Sequence, residues 1–499
     1  MTRRRELLRI SKLHRTYNRS KGTFTYNISY QTTPALRSRR TREVAEAFGI
    51  GIEDTQRFTL YDNVELEIKP TDIVLITGDS GSGKSVLLKA LKADLGEQAQ
   101  DTKDLQIDSE APIIDTVGAD TAGAMQLLSR VGLNDAFLFL RSFRELSDGQ
   151  KHRYHIAKLA QSGKQWWLLD EFTSTLDRDT AKIVAFNLQR IARQQGKAVI
   201  AATTHCDLQA DLAPDVHIHK RYGKQITVTY HRNRSRPAEE RQCSLVRQIH
   251  LTEGTLADYK QLSEFHYRTG KTVAPRKVFV LKRGTEICAA IIYGYPGLLC
   301  FGRSRVWMGT VGQLQREVSV ISRVVVHPKY RSIGLSVWLI RETLPRAGTC
   351  HVEAVAVMAR YNPFFEKAGM VNIAVSTPHP SLMWALSELE KIGFDAAMMG
   401  SESYNQTRTY TREEAVKAVL AELTRRNTAI RSRLLSLQTA YPKFAQAEEK
   451  IEKLTAAELA KALKRLSFAA QTKTYLHWTQ PTAPAKAAAD HQKIAKLSG

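Results

Sequence analysis

A chain of 499 residues is too long for one hydrophobic core, so roughly two to four domains are expected. With 43% hydrophobic and 25% charged residues it reads as globular, and no apolar run nears the roughly 18 residues needed to span a bilayer, so no transmembrane helix and no membrane partner are expected. A net charge of +23 points to a polyanion, nucleic acid ahead of anionic lipid, bound through phosphate contacts and counterion release.

The start, MTRRRELLRI, is basic but lacks an apolar h-region and a small-residue cleavage site. Secretion is therefore not expected, and the location is read as cytoplasmic (host-cell cytoplasm if the gene is carried by a phage). Five cysteines at 206, 243, 288, 300 and 350, odd in number and without C-x-x-C spacing, suit a reducing cytosol and argue against a zinc site. Residues 1–43 read as a basic N-terminal extension, with twelve Lys and Arg against Glu6 and Glu43. Tyr17, Phe24, Tyr26 and Tyr30 are interleaved with these cations. Such aromatics stack on bases, or they belong to a strand pair packed on the next domain.

From 44 to 230 strands and helices alternate: DIVLITG, a helix from Lys84, WWLLDEF, then KAVIAATTH. Residues 231–250, opening with HRNRSRP, read as a linker. A second α/β unit is expected over 251–380, with a hairpin across Lys282-Arg283-Gly284 and strands AAIIYGY, ISRVVVHP and HVEAVAVM. Residues 381–499 read as a helical C-terminal region whose Ala/Lys-rich basic tail frays.

The first chemical motif is Gly78-Asp79-Ser80-Gly81-Ser82-Gly83-Lys84-Ser85, between an apolar strand and an amphipathic helix. In that context the backbone amides cradle β- and γ-phosphates, Lys84 neutralises them and the Ser85 hydroxyl reaches Mg²⁺. Asp170 and Glu171 end the buried strand WWLLDEF. Asp170 suits Mg²⁺ through water, and Glu171 suits polarisation of the attacking water.

LSDGQ at 146–150 resembles the signature of ABC ATPases, Ser174-Thr175-Leu176-Asp177 resembles their D-loop, and His205 stands where their switch histidine stands. The resemblance covers roughly 44–220. It implies ATP and Mg²⁺ as cofactors and a head-to-tail homodimer in which Ser147 and Gly149 act in trans. Gln150 and Asp177 carry over with them as ATP-site residues. Three departures stand out. The interval from Lys84 to Ser147 is short, so the arm that docks transporter subunits is trimmed. Gln106 is a weak match for the Q-loop glutamine. Phe58 and Tyr61 are available to stack on adenine, but suit a core or strand better.

The second motif, Arg331-Ser332-Ile333-Gly334-Leu335-Ser336, lies between a strand bearing Val325 and the helix VWLIRETL. A strand running into a helix N-terminus with a permissive glycine again suits a pyrophosphate. The hexapeptide resembles motif A of the GNAT acyltransferases, and RYNPFFEKAGM at 360–370 resembles a further GNAT motif at Asn362 and at E-K-x-G. This likeness covers about 260–372 and implies an acyl-CoA donor. The family's thiolate-protonating tyrosine is replaced by Phe365, leaving Tyr361 as the nearest phenol. Bases for an amine acceptor are sought in Glu353, Glu317, His266 and Tyr267, and Ser322 and Arg323 begin the donor-side strand.

FHYRTGK, ISRVVVHPKYR and YNPFFEKAGM together resemble the phage Mom DNA-modification group, and the layout resembles an ABC-type ATPase fused to a GNAT-fold domain. The expected fold is thus α/β multidomain: an ABC-type P-loop ATPase, a mixed α/β GNAT domain, and a helical C-terminal region. The function implied is an ATP-hydrolysing nucleic-acid modifier, DNA favoured and RNA possible, transferring an acyl-type group to a base amine. The alternatives are an RNA or ribosome acetyltransferase, and an ATPase switch or transporter subunit with a non-catalytic second domain.

Overall fold

The computed structural model describes residues 8–33, 37–231, 242–266, 274–437 and 442–481. Contacts divide the chain into two units: residues 1–271 with 278–291 and 323–339, and residues 272–277, 292–322 and 340–499.

The chain opens with β1 (Leu8–Asn18) and β2 (Thr23–Thr32), then α1 (Arg39–Phe48) and β3 (Arg57–Glu67). These strands form a three-stranded antiparallel sheet in the order β1-β2-β3. Phe24, Tyr26 and Ile28 of β2 are buried in one core with Tyr61 and Leu66 of β3. Tyr17 stacks on Phe24 at 4.1 Å, and the Tyr26 hydroxyl donates to Asp94 at 2.9 Å. This corrects the boundary at residue 43: the basic extension is not separate, because its alternating aromatics are the inward face of a sheet shared with residues 57–67. Of the two readings of those aromatics, the strand pair is the one the fold takes.

There follow β4 (Ile73–Gly78), α2 (Lys84–Leu95), β5 (Ala99–Asp101), α3 (Thr121–Arg130), α4 (Ala136–Phe139), α5 (Asp148–Gln161), β6 (Trp166–Leu169), α6 (Arg178–Gln194), β7 (Ala198–Ala202), α7 (Gln209–Leu212), β8 (Val216–Lys220) and β9 (Ile226–Tyr230). The six-stranded sheet has the order β5-β6-β7-β4-β8-β9, parallel except for the β8–β9 hairpin. Every residue of β4 is buried, because this central parallel strand is covered on both faces, by α2 with β2 and β3 on one side and by α5 and α6 on the other.

The expected linker is corrected in its second half. Cys243 and Leu245 are fully buried, and Ser244 donates from both its amide and its hydroxyl to Asp211, each at 2.7 Å. The basic run HRNRSRP lies outside the described residues after His231.

Next come β10 (His250–Glu253), α8 (Leu256–Lys260), β11 (Pro275–Arg283), β12 (Glu286–Gly294), α9 (Val311–Glu317), β13 (Val318–Val326), α10 (Leu335–Thr343), β14 (His351–Ala356), α11 (Phe364–Lys367) and β15 (Val371–Ser376). Helices α12 (Pro380–Lys391), α13 (Glu402–Thr409), α14 (Glu413–Arg426), α15 (Arg431–Leu435), α16 (Phe444–Glu452) and α17 (Ala456–Ala469) then pack around a core of their own, before β16 (Lys473–Thr479). The strand order is β10-β11-β12-β13-β14-β16-β15. Residues 381–499 are therefore not simply helical: β16 lies between β14 and β15, paired antiparallel to both, so the sheet is not closed by residue 380. The basic tail after Pro481 lies outside the described residues.

Strands β13 and β14 run parallel but pair only from Val318 to Val320 against His351 to Glu353. Beyond that point residues 321–326 make no ladder with β14. No helix among the described residues is long and apolar enough to cross a membrane.

Candidate functional site

The glycine-rich loop leaves the carboxyl end of β4 and feeds the first turn of α2. Only glycine fits at Gly78: its φ is 137°, and a Cβ there would lie 1.8 Å from the Lys220 carbonyl oxygen. Lys84 Nζ donates to the carbonyls of Gly78 at 2.7 Å and Asp79 at 2.6 Å. Burial pulls the Lys84 ammonium below its ordinary pKa, only partly offset by Asp79 and Asp170. The Ser82 hydroxyl is buried with no hydrogen-bond partner. A cationic loop with an unanswered hydroxyl fits a polyphosphate.

The expected metal pair is brought together: Ser85 Oγ donates to Asp170 Oδ1 at 2.8 Å. Lys103 Nζ donates to the other oxygen, Oδ2, at 2.7 Å. Burial pushes the Asp170 carboxyl up, but the bonds from Lys103 and Ser85 outweigh it and hold the group below the usual carboxylate range. This oxygen and hydroxyl set fits Mg²⁺, which keeps water ligands and supplies charge neutralisation on the phosphates. Glu171, exposed and at φ 52°, lines the same pocket. Its left-handed backbone turns the chain sharply at the strand end, where it presents a carboxylate to water.

The pocket is about 720 Å³ and is lined by Tyr30, Phe58 and Leu60 on one side, by Ser80, Gly81, Gly83, Lys84 and Ser85 below, and by Asp170, Glu171, Ser174, Thr203, Thr204, Tyr222 and Gly223 beyond. Phe58 thus sits in the pocket wall. Tyr61 does not: it is fully buried and donates to the Gly83 carbonyl at 2.9 Å. Gln106 is exposed and absent from the lining, and Lys103 from the same segment reaches Asp170 instead. His205 stands just past the lining residues Thr203 and Thr204, with Nε2 buried and unpartnered, and burial followed by Arg178 pulls its pKa down.

Sequence reasoning missed two residues here. The Tyr222 hydroxyl, from the β8–β9 turn, donates to the Ser80 carbonyl at 2.7 Å. Lys220 is fully buried, bonds to the carbonyls of Arg221, at 2.6 Å, and Gly223, and lies 5.4 Å from the Tyr61 ring centre. Nothing in the stretch VHIHKRYG marks either residue as part of the site.

Ser147, Gly149, Gln150 and Asp177 do not line this pocket. Ser147 caps α5 in a capping box, its amide donating to Gln150 Oε1 at 2.9 Å. The signature thus opens a helix, the end at which a helix favours an anion. Asp177 caps α6 by accepting from the Thr180 amide at 3.0 Å.

The second set of predicted residues is placed less favourably. Arg331 is engaged by Asp135 at 3.1 Å and by the carbonyls of Val326 and Phe265. Ser332 Oγ accepts from Asn187 Nδ2 at 2.6 Å. Val325, Ile333 and Leu335 are buried apolar anchors, Leu335 and Ser336 open α10, and Gly334, at φ 90°, has open space around it.

Glu353 is not available as a base. It is almost fully buried, takes a bidentate pair from Arg303 at 2.9 and 2.6 Å, and accepts from the Tyr475 hydroxyl at 3.0 Å. Glu317 accepts from the Trp307 indole at 3.0 Å, and Ser322 Oγ donates to the Ile292 carbonyl. Tyr361 and Asn362 lie between β14 and α11, and Phe365 is buried against Phe364. His266 ends a short 3₁₀ turn, and Tyr267 lies outside the described residues.

No family model matches the chain. Among curated proteins, it is 31% identical over 181 residues to the lipoprotein-releasing system ATP-binding protein LolD of Maricaulis maris, covering 29% of this chain and 78% of that protein. It is 28% identical over 190 residues to the phosphonates import ATP-binding protein PhnC of Hyphomonas neptunium, covering 30% and 72%. Among solved structures, a dimeric post-hydrolysis ATP-binding cassette, MJ0796 bound to ADP and Pi, aligns at TM-score 0.28 and 19% identity over 34% of this chain and 91% of that one. Through its phosphate-loop module the chain belongs to the ABC-type ATP-binding proteins.

Proposed function

We propose that this protein is an ABC-type ATPase whose nucleotide cycle operates an appended acyl-transfer module of GNAT type, acting on an amine of nucleic acid. The observation that carries the second half is the parallel pair β13–β14, which stops pairing after three residues, followed by a glycine loop at the start of α10. Parallel strands that part leave backbone groups free to pair with an acyl thioester arm, and a helix N-terminus after a glycine loop suits the donor's pyrophosphate. The net charge of +23 supports a polyanionic acceptor. One phosphate loop and one signature per chain, with the signature outside the pocket, support a head-to-tail homodimer.

The test is mass spectrometry of nucleosides from cells with and without the protein, beside acetyl-CoA consumption by the purified chain with DNA, RNA and ATP. A new modified nucleoside that needs both Lys84 and Gly334 supports the proposal.

A second reading is an ATPase switch whose appended module binds without catalysing. The Arg303–Glu353 pair and Phe365 favour it, because both remove groups that acyl transfer would use. Import and export ATP-binding proteins among the relatives add a transporter-subunit variant of that reading. Unmodified nucleosides, with ATP-dependent capture of nucleic acid or of membranes, separate these two outcomes.

A further inference from the structure

The loop between β13 and α10 is seated on the ATPase. Asp179, in the first turn of α6, is held by two cations: Arg283 Nη1 at 2.6 Å and Lys329 Nζ at 2.7 Å. Arg283 ends β11, and Lys329 belongs to the turn Pro328–Tyr330 just before the glycine loop. Further along α6, Asn187 bonds the Ser332 hydroxyl, and Arg190 Nη1 donates to the Ser332 carbonyl at 3.0 Å. Asp135, capping α4, pairs with Arg331. Ser332 holds φ 70°, a strained backbone for a residue with a side chain. One face of α6 and the α4 cap thus grip a single loop through four contacts, at Lys329, Arg331 and twice at Ser332.

The same helix begins where the catalytic strand's loop ends. From Asp170 and Glu171 the chain passes through Ser174 to Asp177, which caps α6, and Asp179 follows within that first turn. A shift of Asp170 or Glu171 on binding a nucleotide reaches Asp179 through a short connection and a rigid helix. The carboxylate is half-buried, so its two ion pairs are screened less than surface pairs and follow it.

We propose that Asp179 is the positioning residue through which the nucleotide state of the ATPase sets the conformation of the Lys329–Gly334 loop, and hence its capacity to hold the donor's phosphates. The donor clause rests on the acyl-transfer reading, whereas the link from Asp179 to the loop does not. Lys329 and Arg283 share one acid, so neutralising it removes the hold on Lys329 and one hold on the end of β11 together, while Asn187, Arg190 and Asp135 keep theirs on Ser332 and Arg331. Coupling of this kind needs only that the two nucleotide states differ in where they hold α6.

The test is hydrogen exchange on the full chain carrying Glu171→Gln, with and without ATP and Mg²⁺. ATP is expected to change amide exchange over residues 330–336 by about threefold or more. Adding Asp179→Asn should erase that change while protection of residues 78–85 by ATP persists. Lys329→Gln, which keeps the Arg283 pair, should weaken the change, and it serves if Asp179→Asn does not fold. The proposal is overturned if residues 330–336 exchange identically with and without ATP while 78–85 are protected, or if both variants keep the full response. Acetyl-CoA as a probe separates the two layers: if it protects 330–336 in no nucleotide state, the acyl-transfer reading fails, and the Asp179 link is judged on the ATP comparison alone.

Discussion

At the scale of single residues, the phosphate loop is held from outside as well as from within. The Tyr222 hydroxyl donates to the Ser80 carbonyl and so anchors that stretch of the loop from outside. Tyr222→Phe keeps the ring and loses the bond, a net loss of about 1 kcal/mol, or about fivefold in nucleotide Kd. Titration with a fluorescent ATP analogue should show this weakening in Tyr222→Phe as in Tyr222→Ala, with Tm unchanged. Wild-type affinity in Tyr222→Phe would remove the hydroxyl from the account.

His477 supplies a pH dependence. Burial, with His351 adding to it, pushes the imidazole down to about 4. The unfolded chain takes up a proton near pH 6.5 and the folded one does not until about 4. Stability is therefore full above about 6.5 and falls as the pH drops from there toward 4, by about 3 kcal/mol for this group alone. Thermal melts between pH 7.5 and 4.5 should show the fall, and His477→Gln should make it shallower by this group's share, the other histidines that burial holds down keeping theirs.

At the scale of elements, the buried pair Arg303–Glu353 ties the connection between β12 and α9 to β14. Arg303→Met should destabilise its unit by about 3–5 kcal/mol, because it strands a buried carboxylate. Arg303→Met with Glu353→Gln should recover much of that loss in chemical denaturation. A pH–rate profile that moves with Glu353→Gln, without loss of stability, would restore Glu353 as a base.

Legibility also divides by element. The phosphate loop, the Asp170–Glu171 strand end and the signature helix were readable because their chemistry demands fixed residue types at fixed spacing. The same reading missed Lys220, because a lysine satisfied by carbonyls leaves no pattern in the sequence. It placed Glu353 among the bases because its partner, Arg303, lies fifty positions away and nothing local announces the pair. Strand β16 was overlooked because KTYLHWT follows six helices, and local composition says nothing of which distant strands it joins. Residues 243–248 read as linker because their polar neighbours hide two buried anchors, Cys243 and Leu245.

At the scale of the whole molecule, the proposed head-to-tail dimer makes a mixing experiment decisive. Lys84→Ala chains and Ser147→Arg chains should each lack ATPase activity. Mixed in equal amounts, random pairing leaves one intact composite site in half the dimers, so about a quarter of wild-type hydrolysis should return. No recovery in mixtures shown to contain heterodimers would overturn the head-to-tail arrangement.

The placement of β16 also governs how the protein is made. Synthesis runs from the N-terminus, so the ATP-binding sheet is complete long before residue 473 leaves the ribosome. Until then β14 lacks its antiparallel neighbour and β15 has no strand to pair with, so bare strand edges are open to any passing chain. The six helices of residues 380–469 must be translated during that exposure. Release of a chain stopped after Ala469 should therefore yield a product that pellets on centrifugation where the full chain stays in solution, and chaperone occupancy on translating ribosomes should persist until β16 emerges.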